Sequence, residues 1–123
     1  MNLQTAKRLH DARRATGHIL TFVAGKSLDD YRSDVYFQSA VERQFEIVAE
    51  ALNLAERDDP TLREILPELP VIVGLRNRIA HEYDAIDHQI IWDTVHSDLP
   101  ICISGSLSFS TRMDFLKMTR RGT

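Results

Sequence analysis

Hydrophobic residues recur at helical spacing along most of the chain. In the first segment they follow one another at steps of three and four residues, as Leu3, Ala6, Leu9, Ala12, Thr16, Ile19 and Val23. This stripe predicts an amphipathic helix, and Gly25 can end it. Ser27 with Asp30 three residues later has the spacing of a capping box, which predicts a short helical turn that begins there.

The segment from about Ser33 to Ala55 predicts a long helix with two apolar faces. One face consists of Val41, Phe45, Val48, Leu52 and Ala55. The other consists of Tyr36, Ala40, Ile47 and Leu54, with Arg43 and Glu50 set into it. A helix that is apolar on two faces must bury both. In so small a domain one face can serve the core while the other meets a second copy of the chain, so we predict a homodimer.

Further helices are predicted after Pro60 interrupts the pattern. They comprise a helical turn over 61–66, a helix from Pro70 to about Tyr83, and a last helix over 87–99 that buries Ile91, Trp92 and Val95 and ends at Pro100. Pro70 suits the first position of a helix, where its missing N–H does no harm. The fold class predicted is all-α, an antiparallel bundle of four to five helices.

Residues 101–123 depart from this pattern. The stretch ICISGSLSFS carries serine at every second position, which is strand periodicity. A lone strand has no ladder partner in a helical domain, so it would pair with a symmetry mate, lie on the bundle as an irregular arm, or stay disordered. We favour disorder, and we divide the chain into a helical domain over 1–100 and an atypical tail over 101–123.

Length and composition narrow the class of protein. A chain of 123 residues has room for one domain, and no apolar run approaches the roughly 20 residues of a transmembrane helix. The N-terminus does not read as a signal peptide, and Cys102 is the only cysteine, which excludes intrachain disulfides and fits a reducing cytoplasm. The net charge of −3 counts against duplex binding through a broad cationic face, although a nuclease needs only a few cations.

The densest polar cluster lies in the stretch RNRIAHEYD, which begins at Arg76. It can be a solvated helix end. Its residue types also suit RNA cleavage without a metal, because histidine exchanges protons near neutral pH and arginine can bind a phosphate through two N–H groups at once. His81 lies five positions after Arg76, which is about 140° around an ideal helix, so the two cannot point the same way. Two copies facing each other across a dimer axis would supply two of each group.

No metal site or cofactor is predicted. His88 and His96 lie eight residues apart, as do His10 and His18, which is a poor fit to one helical face. Neither pair has carboxylates or cysteines at ligand spacing. No glycine-rich phosphate loop precedes a helix, which argues against ATP binding by this chain alone.

The stretch RNRIAHEY matches the Arg-x4-His-x-Tyr signature of HepT-like toxins in the HEPN superfamily. AVERQFEIVAEALNLA is similar to the family's long second helix, although Ala49 stands where a glycine is usual. LPELPVIVGLRNRIAHEYDAIDHQIIWDTVHSDLP resembles its third and fourth helices. The similarity covers roughly residues 1–100 and is lost after Pro100.

This resemblance implies a dimeric ribonuclease toxin of a type VII-like toxin–antitoxin system, acting on RNA such as tRNA or mRNA. Arg76 would clamp the phosphate and His81 would act as acid and base, both gathered from the two protomers. The antitoxin partner would be a minimal nucleotidyltransferase that transfers AMP to Tyr83. Asp34, Arg43 and Asn77 are second-tier cleft candidates. Two alternatives stay open: a non-catalytic subunit that binds, and is modified by, the nucleotidyltransferase, and a plain structural homodimer.

Overall fold

Helices account for nearly all of the part of the chain that the structure, a computed structural model, describes: residues 2–81 and 87–106. The helices are α1 (Leu3–Val23), α2 (Leu28–Ser33), α3 (Val35–Asp58), α4 (Leu62–Ile65), α5 (Leu69–His81) and α6 (His88–His96). A further helical segment spans residues 98–106. The predicted all-α bundle is confirmed. Among the described helices, none is both long and apolar enough to cross a bilayer.

The predicted helix boundaries near the N-terminus follow from capping chemistry. The side chain of Asn2 accepts the backbone N–H of Thr5 at 2.7 Å and so caps α1. Gly25 adopts a positive φ of 73° beyond the end of α1, a conformation that costs glycine little. Ser27 and Asp30 form the predicted capping box, with reciprocal bonds of 3.1 and 2.8 Å.

The core lies around α3, which packs against α1 on one side and α5 on another. The apolar stripe of α1 is buried from Leu9 to Val23, and it meets the predicted core face of α3. Leu3 is the exception, since it is 89% exposed in the first turn of the helix. From α5, Leu69, Ile72 and Leu75 complete the core.

Aromatic side chains join α2, α3 and α6. The ring of Tyr31 is fully buried and lies 5.4–5.5 Å from the rings of Phe37, His88 and Trp92. Trp92 was predicted to be buried but is only half-buried, because it lies at the rim of this cluster and its other neighbour is the exposed His96. Burial raises the pKa of the Tyr31 phenol, so the hydroxyl stays protonated.

The expectation of an irregular or disordered tail is wrong for residues 101–106, which are helical. Leu99, Cys102 and Ser106 are fully buried, and their spacing of three and four residues is that of a helix face. Pro100 does not end a helix but sits in the first turn of a new one, where its missing N–H is tolerated. The rest of the predicted tail lies outside the described residues.

The second face of α3 is left open within a single chain. Tyr36 is 90% exposed, and Ala40, Ile47 and Leu54 are half-buried. These are the residues from which the sequence predicts contact with a second copy. The homodimer stays a prediction.

Candidate functional site

Helix α5 carries the polar motif on the side that turns away from the core. Leu75 is buried, and Arg76 follows it at the edge of the interface with α3. Asn77 is exposed next to it. His81 is the last residue of α5 and is also exposed. The site therefore begins half-buried against α3 and ends at the helix terminus.

Arg76 is held by an ion pair that crosses from α5 to α3. Its Nη2 donates to Oε2 of Glu50 at 3.1 Å, and the two side chains are 30% and 47% exposed. Nη1 donates to Oδ1 of Asn77 at 3.4 Å, a longer and weaker bond. The first bond is the main constraint on the guanidinium.

A cavity of about 350 Å³ opens between α3 and α5, and we call it the α3–α5 cleft. Its walls are Ser39, Glu42, Arg43, Phe45 and Glu46 of α3 and Arg76, Ile79 and Ala80 of α5. The volume is at the lower end of small-ligand sites. The two arginines can bind a phosphate, and Phe45, Ile79 and Ala80 add apolar surface to the same lining.

A wider cavity of about 620 Å³ runs along α1 and α3, and we call it the α1–α3 groove. It is lined by Arg8, Asp11, Arg14, Ala15 and His18 of α1, by Arg43, Gln44, Glu46, Ile47, Glu50, Ala51 and Leu54 of α3, and by Arg76. Arg43 and Arg76 border both cavities. The two arginines therefore stand at the divide between the cleft and the groove.

The second-tier candidates lie in three different settings. Arg43 is exposed and pairs with Glu46 one turn along α3, at 3.5 Å. Asn77 contacts Arg76, as described above. Asp34 is the N-cap of α3, where its Oδ1 accepts the N–H of Phe37 at 3.2 Å, and it borders neither cavity. A cleft role for Asp34 stays a prediction.

In the described part of the chain, His81 lines neither of the two cavities that Arg76 borders. Ala80 borders the α3–α5 cleft, but His81, the next residue, borders neither the cleft nor the groove. This separation agrees with the angle of about 140° expected from their spacing on a helix. Tyr83 lies outside the described residues.

Sequence reasoning missed two carboxylates of α3. Glu50 was noted only as a polar interruption of an apolar face, and its partner lies 26 positions away. Glu42 was not singled out, yet it borders the cleft, and burial raises its pKa while the charge of His88 acts in the opposite direction. A signal in the sequence is that both lie on the same predicted helix as Arg43, which the family resemblance gives as a cleft candidate.

Potential metal ligands are scattered. Within residues 2–81 and 87–106, no three His, Cys, Asp or Glu side chains lie close enough together to hold a metal ion. The charged groups at the site are instead two arginines with their paired glutamates, together with Glu42.

The family model described as ribonuclease HepT-like matches residues 12–104, about three quarters of the chain. The chain belongs to the HepT-like ribonuclease family. The match includes the whole of α3 and α5, and therefore Arg43, Glu50, Arg76 and His81. It also extends into the helical segment 98–106, which is further reason to count that segment as part of the domain.

Curated relatives of this HepT-like chain carry ribonuclease names. A protein of Methanocaldococcus jannaschii, named provisionally as an RNase, is 30% identical over 94 residues, which are 75% of this chain and 84% of the relative. A probable ribonuclease HepT of Thermococcus cleftensis is also 30% identical over 94 residues, 75% of this chain and 83% of the relative. A protein of Caldanaerobacter subterraneus named provisionally as an RNase is 31% identical over 80 residues, 63% and 69% of the two chains. No solved structure was found to match.

Proposed function

We propose that this HepT-like chain is an endoribonuclease that cleaves RNA without a metal, with Arg76 and His81 as its catalytic residues. The observation that carries the proposal is the α3–α5 cleft, where Arg76 is held by Glu50 beside a second arginine, in a chain whose family is one of ribonucleases. Such a cleft suits a phosphodiester, which two guanidinium groups can bind through its charged oxygens.

The proposed reaction is an internal transesterification. A base removes the proton of the ribose 2′-OH, and the oxygen attacks the adjacent phosphorus while the bond to the 5′-oxygen breaks. An acid gives a proton to that leaving oxygen, and a 2′,3′-cyclic phosphate remains on the upstream fragment. His81 would transfer the protons, and Arg76 would stabilise the charge that builds up on the phosphorane oxygens.

One histidine and one arginine are few groups for these steps, and His81 lines neither of the described cavities that Arg76 borders. A homodimer would bring two of each into a single cleft. The open second face of α3 lies next to Arg76 and supports an axis there, since Ile47 and Leu54 flank Glu50 in the α1–α3 groove. We therefore propose that the active form is the dimer.

The regulatory part of the proposal rests on the family resemblance of the motif. In that scheme the chain is the toxin of a toxin–antitoxin pair, and a minimal nucleotidyltransferase silences it by transferring AMP to Tyr83. The transfer forms a phosphodiester between the phenol oxygen and the α-phosphorus of ATP, with pyrophosphate as the leaving group. Tyr83 follows His81 by two residues, so the adduct would add a bulky anion close to the catalytic motif.

The test is cleavage of a fluorescent RNA oligonucleotide by purified protein in the presence of EDTA, with the product ends identified by mass spectrometry. We expect a 2′,3′-cyclic phosphate, and at least a hundredfold lower kcat in Arg76→Ala and in His81→Ala. His10→Ala on α1 and Arg57→Ala on α3 are the matched controls, and both should keep full activity. Cleavage that depends on added Mg²⁺, or full activity in His81→Ala, would refute the mechanism.

A non-catalytic subunit that binds the nucleotidyltransferase is the second candidate. Two observations favour it. His81 lines neither of the cavities that Arg76 borders, and Arg76 already donates a hydrogen bond to the carboxylate of Glu50. Expression in a bacterial host separates the two. Growth arrest that disappears with His81→Ala supports the ribonuclease, whereas harmless expression with tight binding to the nucleotidyltransferase supports the subunit.

A further inference from the structure

Glu50 and Arg76 form a contact between two helices that pack against each other. The bond from Arg76 Nη2 to Glu50 Oε2 is 3.1 Å, and both side chains are partly shielded from water. A charge-assisted bond of this length in a half-buried setting is stronger and less mobile than a pair on the open surface. The pair therefore fixes a side chain as well as joining α5 to α3.

The direction of the contact is informative. Glu50 borders the α1–α3 groove and not the α3–α5 cleft, whereas Arg76 borders both. The carboxylate therefore reaches the guanidinium from the groove side. A guanidinium has five N–H groups, and the bonds to Glu50 and Asn77 use two of them. Among the contacts of the described residues, this leaves three N–H groups that can donate to the oxygens of a phosphate.

Orientation matters more than charge for this arginine. A free arginine side chain has large rotamer entropy, all of which a reaction must remove before the fork can meet the phosphorane oxygens. The bond to the Glu50 carboxylate removes much of this rotamer entropy before the substrate binds. The same carboxylate lowers the attraction between Arg76 and a bound phosphate, because it places a negative charge close to both. The arrangement favours alignment at the expense of ground-state binding.

We propose that Glu50 is a positioning residue that orients the Arg76 guanidinium toward the scissile phosphate in the α3–α5 cleft. The proposal rests on the proposed ribonuclease activity of this cleft. It predicts a specific kinetic signature: loss of Glu50 lowers kcat, while KM for RNA stays the same or falls.

The experiment measures kcat and KM with one RNA oligonucleotide for the wild type, Glu50→Ala, Glu50→Gln, Arg76→Ala and the Glu50→Ala/Arg76→Ala double variant. We expect a loss in kcat of about 10- to 100-fold for Glu50→Ala, the size that misplacement of a catalytic group produces. Glu50→Gln keeps an oxygen acceptor for Arg76, so its kcat should stay within about threefold of the wild type. The double variant should be no slower than Arg76→Ala alone, because Glu50 acts through Arg76.

Glu56→Ala is the matched control. Glu56 lies on the same helix and makes an ion pair of the same length, 3.1 Å, with Arg63 of α4. Its loss should lower thermal stability about as much as the loss of Glu50, without changing kcat. Circular dichroism checks the fold of each variant, and Glu50→Gln serves if Glu50→Ala does not fold.

Three results would overturn the positioning role while leaving the ribonuclease intact: a wild-type kcat in Glu50→Ala, an equal loss in Glu50→Gln and Glu50→Ala, or losses that multiply in the double variant. Full activity of Arg76→Ala is a different outcome. It would refute the proposed function itself, and the role of Glu50 with it.

Discussion

Arg76 and His81 show how one helix can separate the two groups that the proposed reaction needs together. Helix α5 places Arg76 against α3 and leaves His81 at its exposed end. The side chains can then converge only if the substrate spans both positions or if a second chain supplies the missing partner. The proposed mechanism adopts the second solution, which makes catalysis depend on assembly.

Tyr83 is the residue at which control of the activity can be tested. Co-expression of the chain with a partner nucleotidyltransferase should add multiples of the AMP mass to the peptide that contains Tyr83, and cleavage should stop. Tyr83→Phe removes the acceptor oxygen and little else, so this variant should fold, cleave RNA and escape silencing. Mass spectrometry and the cleavage assay measure the two effects separately.

Tyr36→Phe is the matched control for that prediction, because Tyr36 is a highly exposed tyrosine outside the motif. It should be modified and silenced as the wild type is. If Tyr83→Phe still gains AMP and loses activity, the acceptor lies elsewhere in the chain and Tyr83 is not the control point.

At the scale of single residues, the sequence identifies Arg76 and His81 but not Glu50, the ion-pair partner of Arg76. Arg76 and His81 stand out because their spacing matches a known signature. Glu50 does not, because several carboxylates of α3 could meet Arg76, and the choice depends on how α5 is rotated against α3. That rotation depends on how the buried side chains of the two helices, such as Leu75 and Phe45, pack together, and the pattern along one helix does not reveal this packing.

At the scale of the helices, Asp34, the N-cap of α3, has two possible roles. Asp34 caps the helix through its bond to the N–H of Phe37, and the sequence also suggests a place for it near the cleft. Asparagine caps a helix as well as aspartate does, but it carries no charge. Substitution by asparagine therefore separates the two roles.

We expect Asp34→Ala to lower the free energy of unfolding by about 1 kcal/mol, since it removes the N-cap, while Asp34→Asn should be nearly neutral. Denaturant unfolding measures both. If Asp34 is only a cap, Asp34→Asn should cleave RNA at the wild-type rate. A stable Asp34→Asn variant with lost activity would show that the charge serves the cleft.

The helical segment 98–106 makes a separate prediction through Cys102. Its thiol is fully buried, and burial raises its pKa to about 12, so the reactive thiolate is scarce at pH 8. We expect the disulfide reagent DTNB to leave Cys102 unmodified in the folded protein. It should react rapidly with Cys102 once guanidinium chloride has unfolded the chain. Rapid labelling under native conditions would contradict a helix packed on the core.

In the segment 98–106, the sequence pattern predicts a different secondary structure from the helix that is observed. Over residues 101–110 of the sequence, the alternation of serine with mostly apolar residues predicts a strand, and a helix face of Leu99, Cys102 and Ser106 has too few members to compete with it. Ser106 is a poor marker of burial, although its hydroxyl is satisfied by a bond of 2.8 Å to the carbonyl of Ile103. By contrast, α1 and α3 are predictable because their apolar stripes run over about four turns or more.

At the scale of the whole molecule, charge and apolar surface are distributed in a way that suits self-association. The chain carries a net charge of −3, yet the α1–α3 groove holds four arginines beside three carboxylates, with Ile47 and Leu54 between them. A face of mixed sign can pair with its own copy about a two-fold axis, since arginines of one chain can meet glutamates of the other. This supports the prediction that the second face of α3 is the dimer interface.

We expect light scattering at micromolar concentration to give about 28 kDa, twice the 14.1 kDa of the chain, and the interface to bury on the order of 1,200 Å² or more in total. Ile47→Asp places a charge in the middle of that face, so it should yield a folded monomer that no longer cleaves RNA, because each chain alone lacks half of the site. Leu3→Asp, at the exposed start of α1 and away from this face, should remain dimeric and active. A wild-type monomer would contradict the interface, as would an Ile47→Asp variant that stays dimeric. An Ile47→Asp monomer with full activity would instead show that one chain holds the complete site, and the convergence of Arg76 and His81 would then have to come from the RNA itself.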